Sequence, residues 1–372
     1  MPDRLPLLNS VRSLVVKLGT QVLSTKEGRL DTAFVATVAH QIARLRDEKQ
    51  IAITIVSSGA IGAGVAELNL ARRPTDLAKL QAVAAIGQRR LMDVWADAFE
   101  SHRVPVAQLL LTREDVDVRA RYLNLRNTIH AVHEVGGIPI VNENDTISTD
   151  ELVKITFGDN DILAATVASA LRADLLILLT VVDGLLDAAG KPVRMVTSIE
   201  QAQQLVRSEK SPLGKGGMNS KLLAARLTTR AGEAFVVANG RTADVLPRIL
   251  AGEEIGTLFV PPTSRRRAGR SRWIGTARHA GTIVVDAGAA RAIVEKNKSL
   301  LPAGIVKIDG TFERGDVVVI QGIDGTPIAR GLTNYSAEDV NRIRGKKTAE
   351  VKSMLAERAY DEVVHRDNLV LA

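Results

Sequence analysis

Amides and carboxylates crowd one stretch of this chain. Asn142-Glu143-Asn144-Asp145 follows an apolar run that ends at Val141. Gly158-Asp159-Asn160-Asp161 comes after a polar interval and opens a second apolar pattern. Side chains of these types suit a small ligand that carries both an amino group and a carboxylate. Part of the second run has a plainer use, because Asp and Asn are favoured caps at helix starts. Capping accounts for one residue. It does not account for three consecutive polar residues plus a separate Asn-Glu-Asn-Asp, so a functional site is the better reading.

Three further segments could handle phosphate. Val16-Lys17-Leu18-Gly19-Thr20 places a lysine at the end of an apolar run, where it can reach an anion or simply flank a surface turn. Ser57-Ser58-Gly59-Ala60-Ile61-Gly62-Ala63-Gly64 strings small residues across a strand-to-helix junction, which lets backbone N–H groups approach an anion. No Gly-Lys-Ser/Thr closes that run and no Gly-x-Gly-x-x-Gly follows the strand, so it is neither a Walker loop nor a dinucleotide fingerprint. A tight turn with close helix packing is the alternative. Gly214-Lys215-Gly216-Gly217-Met218 reads as a Gly-rich loop before a helix beginning at Asn219, with Ser220 and Lys221 in its first turn. There the free N–H groups, the helix dipole and the ammonium all favour a phosphate, against the alternative of a flexible surface loop.

Together these pieces describe phosphoryl transfer to a carboxylate. Such a nucleophile is ionised at neutral pH and needs no general base. The obstacle is bringing two anions together, so catalysis must come from positioning and charge neutralisation. Two lysines from opposite sides, a magnesium ion held largely by ATP, and a carboxylate aligning the lysines would suffice.

The elements that must hold these residues are legible as alternating strands and helices. Ser13–Lys17, Ile51–Ser57, Pro105–Leu110, Ile138–Asn142, Leu175–Leu179 and Ala234–Ala238 are short apolar runs without in/out alternation, as expected of parallel strands buried on both faces. Helical patterns cover Thr32–Asp47, Leu77–Glu100, Arg119–Glu134, Asn160–Arg172 and Asn219–Ala231. The expected fold class is α/β, a three-layer sandwich around a mainly parallel sheet. Ligands then belong at the carboxyl ends of the strands. Residues 1–262 make this domain. Pro261-Pro262-Thr263-Ser264 and the cluster Arg265-Arg266-Arg267, Arg270, Arg272 read as a basic linker over 263–278. Residues 279–372 read as a small β-rich domain with strands Thr282–Asp286, Gly304–Ile308, Asp316–Gln321 and Pro327–Gly331. Two helices go with them, Gly288–Lys296 and Ala337–Arg344, the second opened by a capping pattern at Ser336.

Composition narrows the function. The chain has no cysteine, which excludes disulfides, thiolate metal sites and Cys nucleophiles. A net charge of +7 admits either nucleic acid or a small polyanion such as ATP as partner. Three Tyr and two Trp leave few aromatics for stacking bases, so RNA as a primary partner is disfavoured. No signal-like segment and no run of membrane-spanning length appears, so a soluble, cytoplasmic protein without membrane contact is expected.

With these residues assembled, the chain resembles the glutamate 5-kinases of the amino-acid kinase family. The likeness rests on Val15-Val16-Lys17-Leu18-Gly19-Thr20, Ser57-Ser58-Gly59-Ala60-Ile61, Gln108-Leu109-Leu110-Leu111-Thr112 and Val141-Asn142-Glu143-Asn144-Asp145. It continues through Gly158-Asp159-Asn160-Asp161, Gly216-Gly217-Met218 and Gly256-Thr257-Leu258-Phe259 to His365-Arg366-Asp367, in a tail similar to a PUA domain. The resemblance implies ATP- and Mg2+-dependent phosphorylation of the L-glutamate γ-carboxylate, the first step of proline biosynthesis, with proline as feedback inhibitor.

The same resemblance assigns roles. Lys17, Lys221 and Asp161 would be catalytic, Asp161 aligning the two lysines. Ser58, Gly59, Asp145, Asp159 and Asn160 would hold glutamate. Lys17, Gly19, Thr180, Val181, Lys215, Gly216, Gly217, Met218, Asn219, Ser220 and Lys221 would hold ATP, with no metal ligand from the chain. A dimer or tetramer is implied, as is a possible hand-over of the product to glutamyl phosphate reductase. Thr180-Val181, Gly184-Leu185-Leu186 and Lys215 depart from the usual family residues, all in the presumed nucleotide region, so the adenine-side contacts are expected to differ. The alternatives are another carboxylate kinase of the family and, in a different class, an RNA-binding PUA protein.

Overall fold

The structure, a computed structural model, describes residues 4–147, 160–187, 189–208, 215–262, 269–347, 350–351, 354 and 360–372, with the backbone alone for 205–208, 215–216 and 269–272. The chain divides into two compact units, Met1–Arg266 and Arg267–Ala372.

The first unit is built on an eight-stranded sheet. Its strands are β1 (Ser13–Leu18), β2 (Ala52–Ser57), β3 (Val106–Leu111), β4 (Ile138–Glu143), β5 (Leu175–Thr180), β6 (Met195–Val196), β7 (Ala234–Asn239) and β8 (Thr257–Phe259), in the order β3-β4-β2-β1-β5-β7-β8-β6. The six long strands are parallel, each within one or two residues of its sequence-based bounds. β8 runs antiparallel to β7 and carries the two-residue β6 beside it. Strands of two and three residues are too short to show a periodic signal.

The missing alternation has its cause in the two faces. Leu14, Val16 and Leu18 of β1 enter a core covered by the helices Thr32–Lys49 and Leu77–Glu100. Val15 enters a second core covered by Arg119–Glu134, Asn160–Leu171 and Lys215–Ala231. Both faces are dry, so both residue sets are apolar. The helix starts are set by their caps. Asp31 accepts from Phe34 N at 3.0 Å and Asp76 from Lys79 N at 3.0 Å.

One crossing fixes the strand-to-helix turn after β2. The helix Ala60–Glu67 packs on Leu77–Glu100 with glycine against backbone. A Cβ on Gly87 would lie 1.9 Å from Ala60 O, and one on Gly64 would lie 2.0 Å from Val83 O. No side chain fits either place, so the two axes approach more closely than any other residue would permit.

The second unit has its own sheet and core. β9 (Gly281–Val285), β10 (Ile305–Gly310), β11 (Val317–Gly322), β12 (Pro327–Leu332) and β13 (Leu369–Leu371) stand in the order β10-β9-β11-β12-β13. Among the described residues only β9 and β11 pair in parallel in this sheet. Helices Ala287–Lys296 and Ala337–Ile343 start at Asp286 and Ser336, whose side chains accept from Ala289 N and Asp339 N. The stretch read as a linker differs from that reading. Gly269–Thr276 is a helix, and its Trp273 and Ile274 are buried. Burying that apolar pair outweighs the polarity of the arginines around it. Arg265, Arg266 and Arg267 lie outside the described residues.

Two expectations follow. Gly87→Ala must separate the two helices and is expected to cost about 1–3 kcal/mol of unfolding free energy in a denaturant titration; an unchanged midpoint would mean that the crossing relaxes freely. The second concerns His133, whose Nε2 lies 3.0 Å from Thr54 Oγ1 of β2. Burial, then the charges of His130 and Arg46, lower its pKa from 6.5 to about 4. The unfolded chain therefore binds a proton between those values that the folded chain does not. This contribution to stability is complete above pH 6.5 and is lost as pH falls towards 4. His133→Gln is expected to narrow the difference in melting temperature between neutral and mildly acidic buffer, and an undiminished difference would assign the acid sensitivity elsewhere.

Candidate active site

The sheet order places the chemistry. β1 is central, with β2 and β4 on one side and β5 and β7 on the other, so the chain switches sides at β1. Crevices at such switch points receive ligands. Parallel neighbours end on the same edge, which brings Gly19, Ser58, Asn142 and Thr180 together at the ends of strands far apart in sequence. A cavity of about 990 Å³ opens there.

Lys17 follows Val15 on the same face of β1 but lies at the strand's end, between Val56 and Leu178 of its neighbours. Its stem is buried among apolar residues and its ammonium reaches forward to Asp161 Oδ1. Asp161 sits in the first turn of Asn160–Leu171 and has no exposed surface. Its other oxygen accepts from Lys221 Nζ at 3.2 Å and Ser220 Oγ at 3.1 Å. Lys221 Nζ also donates to Gly217 O at 3.1 Å, four residues back on its helix. Burial opposes ionisation of Asp161, but the ammoniums of Lys17 and Lys221 outweigh it and hold the carboxyl below its usual range. One carboxylate thus spaces two lysines, both of which line the cavity.

A second constellation lies beside it, made of amides. Asn160 Nδ2 donates to Ser58 Oγ at 2.7 Å and to Asn142 Oδ1 at 2.9 Å. Asn142 Oδ1 also accepts from Glu143 N at 2.9 Å, and Asn142 Nδ2 donates to Gln88 Oε1 at 2.8 Å. Gly59 turns the chain here with φ of 109°, a conformation that favours glycine, and the next helix starts at Ala60. Trp95 Nε1 donates to Ser57 Oγ at 3.1 Å and steadies the strand end.

Most of the expected residues meet at this cavity. Lys17, Gly19, Ser58, Gly59, Asp145, Asn160, Thr180, Gly217 and Lys221 line it, and Asp161 and Ser220 stand immediately behind the lysines. Val181 does not line it and is exposed just past β5. Met218 packs against the second core and Asn219 is exposed. The helix containing Lys221 begins at Lys215 rather than Asn219. Gly216 and Gly217 are therefore helical, and Lys221 stands in the second turn, where its bond and that of Ser220 to Gly217 O tie it down. Asp159 lies outside the described residues, as does Gly214.

Sequence reading missed Gln88 and left Asn142 as part of a motif without a role. Gln88 carried a signal. Leu80, Ala84, Gly87, Leu91 and Trp95 form the buried stripe of their helix, and Gln88 falls inside it, a polar side chain in a dry seam. Asn69 and Arg73, which also line the cavity, were unforeseen as well. Among the described residues no group of three or more acidic, His or Cys side chains could hold a metal ion, and no helix is long and apolar enough to cross a membrane.

Comparison with known proteins identifies the family. Residues 12–239, more than half of the chain, match the model of the amino acid kinase family, and residues 281–355 match that of the PUA domain. The glutamate 5-kinase of Rhodopirellula baltica is 44% identical over 99% of this chain and 96% of its own. That of Thermus thermophilus is 43% identical over 97% and 98%, and that of Caldanaerobacter subterraneus 44% over 96% and 97%. By the family model, and by relatives of this identity along nearly their whole lengths, the chain belongs to the amino acid kinase family and, within it, to the glutamate 5-kinases.

Proposed function

We propose that the chain transfers the γ-phosphoryl group of ATP to the γ-carboxylate of L-glutamate, giving L-glutamyl 5-phosphate and ADP. One observation carries this reading: two lysines share a buried aspartate at the edge of a cavity whose adjoining wall is a Ser58–Asn160–Asn142 hydrogen-bonded array. A kinase acting on a carboxylate needs fixed positive charge between two anions, and it needs polar groups that orient an amino acid.

A γ-carboxylate oxygen of glutamate attacks the γ-phosphorus, and the bond to the β–γ bridging oxygen breaks, its electron pair leaving with ADP. No proton moves. Lys17 meets the transferring group and Lys221 offsets charge from the other side, with Asp161 spacing the two. Such preorganised charge acts on the transition state without reorganising. Ser58, the Gly59 backbone, Asp145, Asp159 and Asn160 hold glutamate. Gly19, Thr180, Gly217 and Lys221 hold ATP, with Ser220 beside them. Both oxygens of Asp161 are already occupied, and among the described residues no acidic cluster could cage Mg2+, which would arrive with the nucleotide and there offset phosphate charge. Proline shares glutamate's α-amino and α-carboxyl groups and competes for that subsite. The active form is a homo-oligomer in the cytoplasm. The product is an acyl phosphate prone to hydrolysis, suited to direct hand-over to a reductase.

The first test traps product with hydroxylamine. L-glutamate should yield hydroxamate, while N-acetylglutamate and aspartate should not; product from a control alone would keep the fold and discard the substrate. Lys17→Ala and Lys221→Ala should each lower kcat by about 100-fold or more. Retention of most activity by either variant would remove the lysine pair from the mechanism. Added proline should raise the apparent KM for glutamate, and insensitivity would remove it as a regulator.

A further inference from the structure

We propose that Gln88, which does not line the cavity, is a positioning residue: by accepting from Asn142 it holds that amide in the orientation that Glu143 N requires, and so steadies the glutamate subsite through Asn142, Asn160 and Ser58. The proposal rests on the functional reading above and deepens it.

The polarity can be followed bond by bond. A backbone N–H can only donate, so the Asn142 oxygen that meets Glu143 N is an acceptor. The Asn142 nitrogen must then face the other way, and Gln88 Oε1 receives it at 2.8 Å. The same Asn142 oxygen accepts from Asn160, at 2.9 Å, which turns the Asn160 nitrogen inward. That nitrogen also donates to Ser58 Oγ at 2.7 Å. Two consequences reach the cavity wall. The Ser58 oxygen is already an acceptor, so its hydrogen is available for a ligand oxygen such as a carboxylate. Asn160 Oδ1, buried at the wall, has no partner among the described residues and can take a ligand donor such as an ammonium. A carboxylate and an ammonium three bonds apart are the two ends of an α-amino acid.

Gln88 is an unusual occupant for its place. It lies in the apolar stripe of its helix, 7% exposed, and its own Nε2 has no partner among the described residues. An apolar side chain would fill that seam without leaving an amide nitrogen unsatisfied. Its oxygen is the part that is used, and it is used on Asn142.

Gln88→Met keeps the length and loses the acceptor; Gln88→Glu keeps an acceptor oxygen at the same reach. With both variants folded by circular dichroism, Gln88→Met should raise the KM for L-glutamate about tenfold, with the KM for ATP and kcat within about threefold, and Gln88→Glu should restore it. Because Gln88 acts through Asn142, Gln88→Met and Asn142→Ala should not add in the double variant. If Gln88→Met does not fold, Gln88→Asn, one methylene too short to reach, takes its place. An unchanged glutamate KM, equal impairment in Gln88→Glu, or additive effects would each overturn the proposal. Absence of glutamate-dependent hydroxamate from the wild-type protein would instead count against the functional reading. The relay is then judged from the crystal structure of Gln88→Met, where loss of the Asn142–Asn160 bond supports it and retention refutes it.

Discussion

Asp161 is a carboxylate with no exposed surface, and the rest of the site depends on keeping it ionised. Burial works against its ionised form. Lys17 and Lys221 outweigh that, and each is in turn held in place by the carboxylate. A buried charge is tolerable only when it is paired and hydrogen-bonded, and removing one partner leaves the others uncompensated. The triad therefore ties three elements together: the end of β1, the start of Asn160–Leu171, and the second turn of Lys215–Ala231. The cations are separated by a fixed anion instead of repelling each other, and both lysines line the cavity.

The adjoining wall is held by different means. The helix Leu77–Glu100 contributes little to the cavity itself, yet it braces that wall at three points. Gly87 admits the close crossing that sets where Ala60–Glu67 begins, Gln88 receives Asn142, and Trp95 donates to Ser57. All three lie in the one buried stripe of the helix. The packing that stabilises the first core and the contacts that hold the cavity wall thus share one surface of this helix. The second unit shares none of these residues. Its sheet, two capped helices and third core form a separate hydrophobic centre.

Much of this was readable from the chain. Period and composition marked the six long strands, because a strand buried on both faces leaves a run of Val, Ile and Leu that little else produces. Leu77–Glu100 and Arg119–Glu134 matched residue for residue. The errors have a common cause. β6 and β8 are too short to carry a period, the helix at Gly269–Thr276 is hidden among arginines and shown only by Trp273 and Ile274, and the glycines at 216 and 217 suggested a loop where the structure has helix. In each case a local signal was weaker than the tertiary contact that decided the conformation.

The sequence by itself determined which residues are available and which strand end or helix start each occupies, because apolar period, caps and glycines are local properties. Lysine at the end of β1, Asn-Glu-Asn-Asp after β4 and Asn-Asp at a helix start all follow from it. Only the tertiary structure decided that Lys17, Asp161 and Lys221 meet, across separations of 144 and 60 residues, and that Gln88 reaches Asn142. Those pairings depend on strand order and on the closeness of one helix crossing. No local preference encodes either, because both are set by how the two faces of the sheet fill their cores.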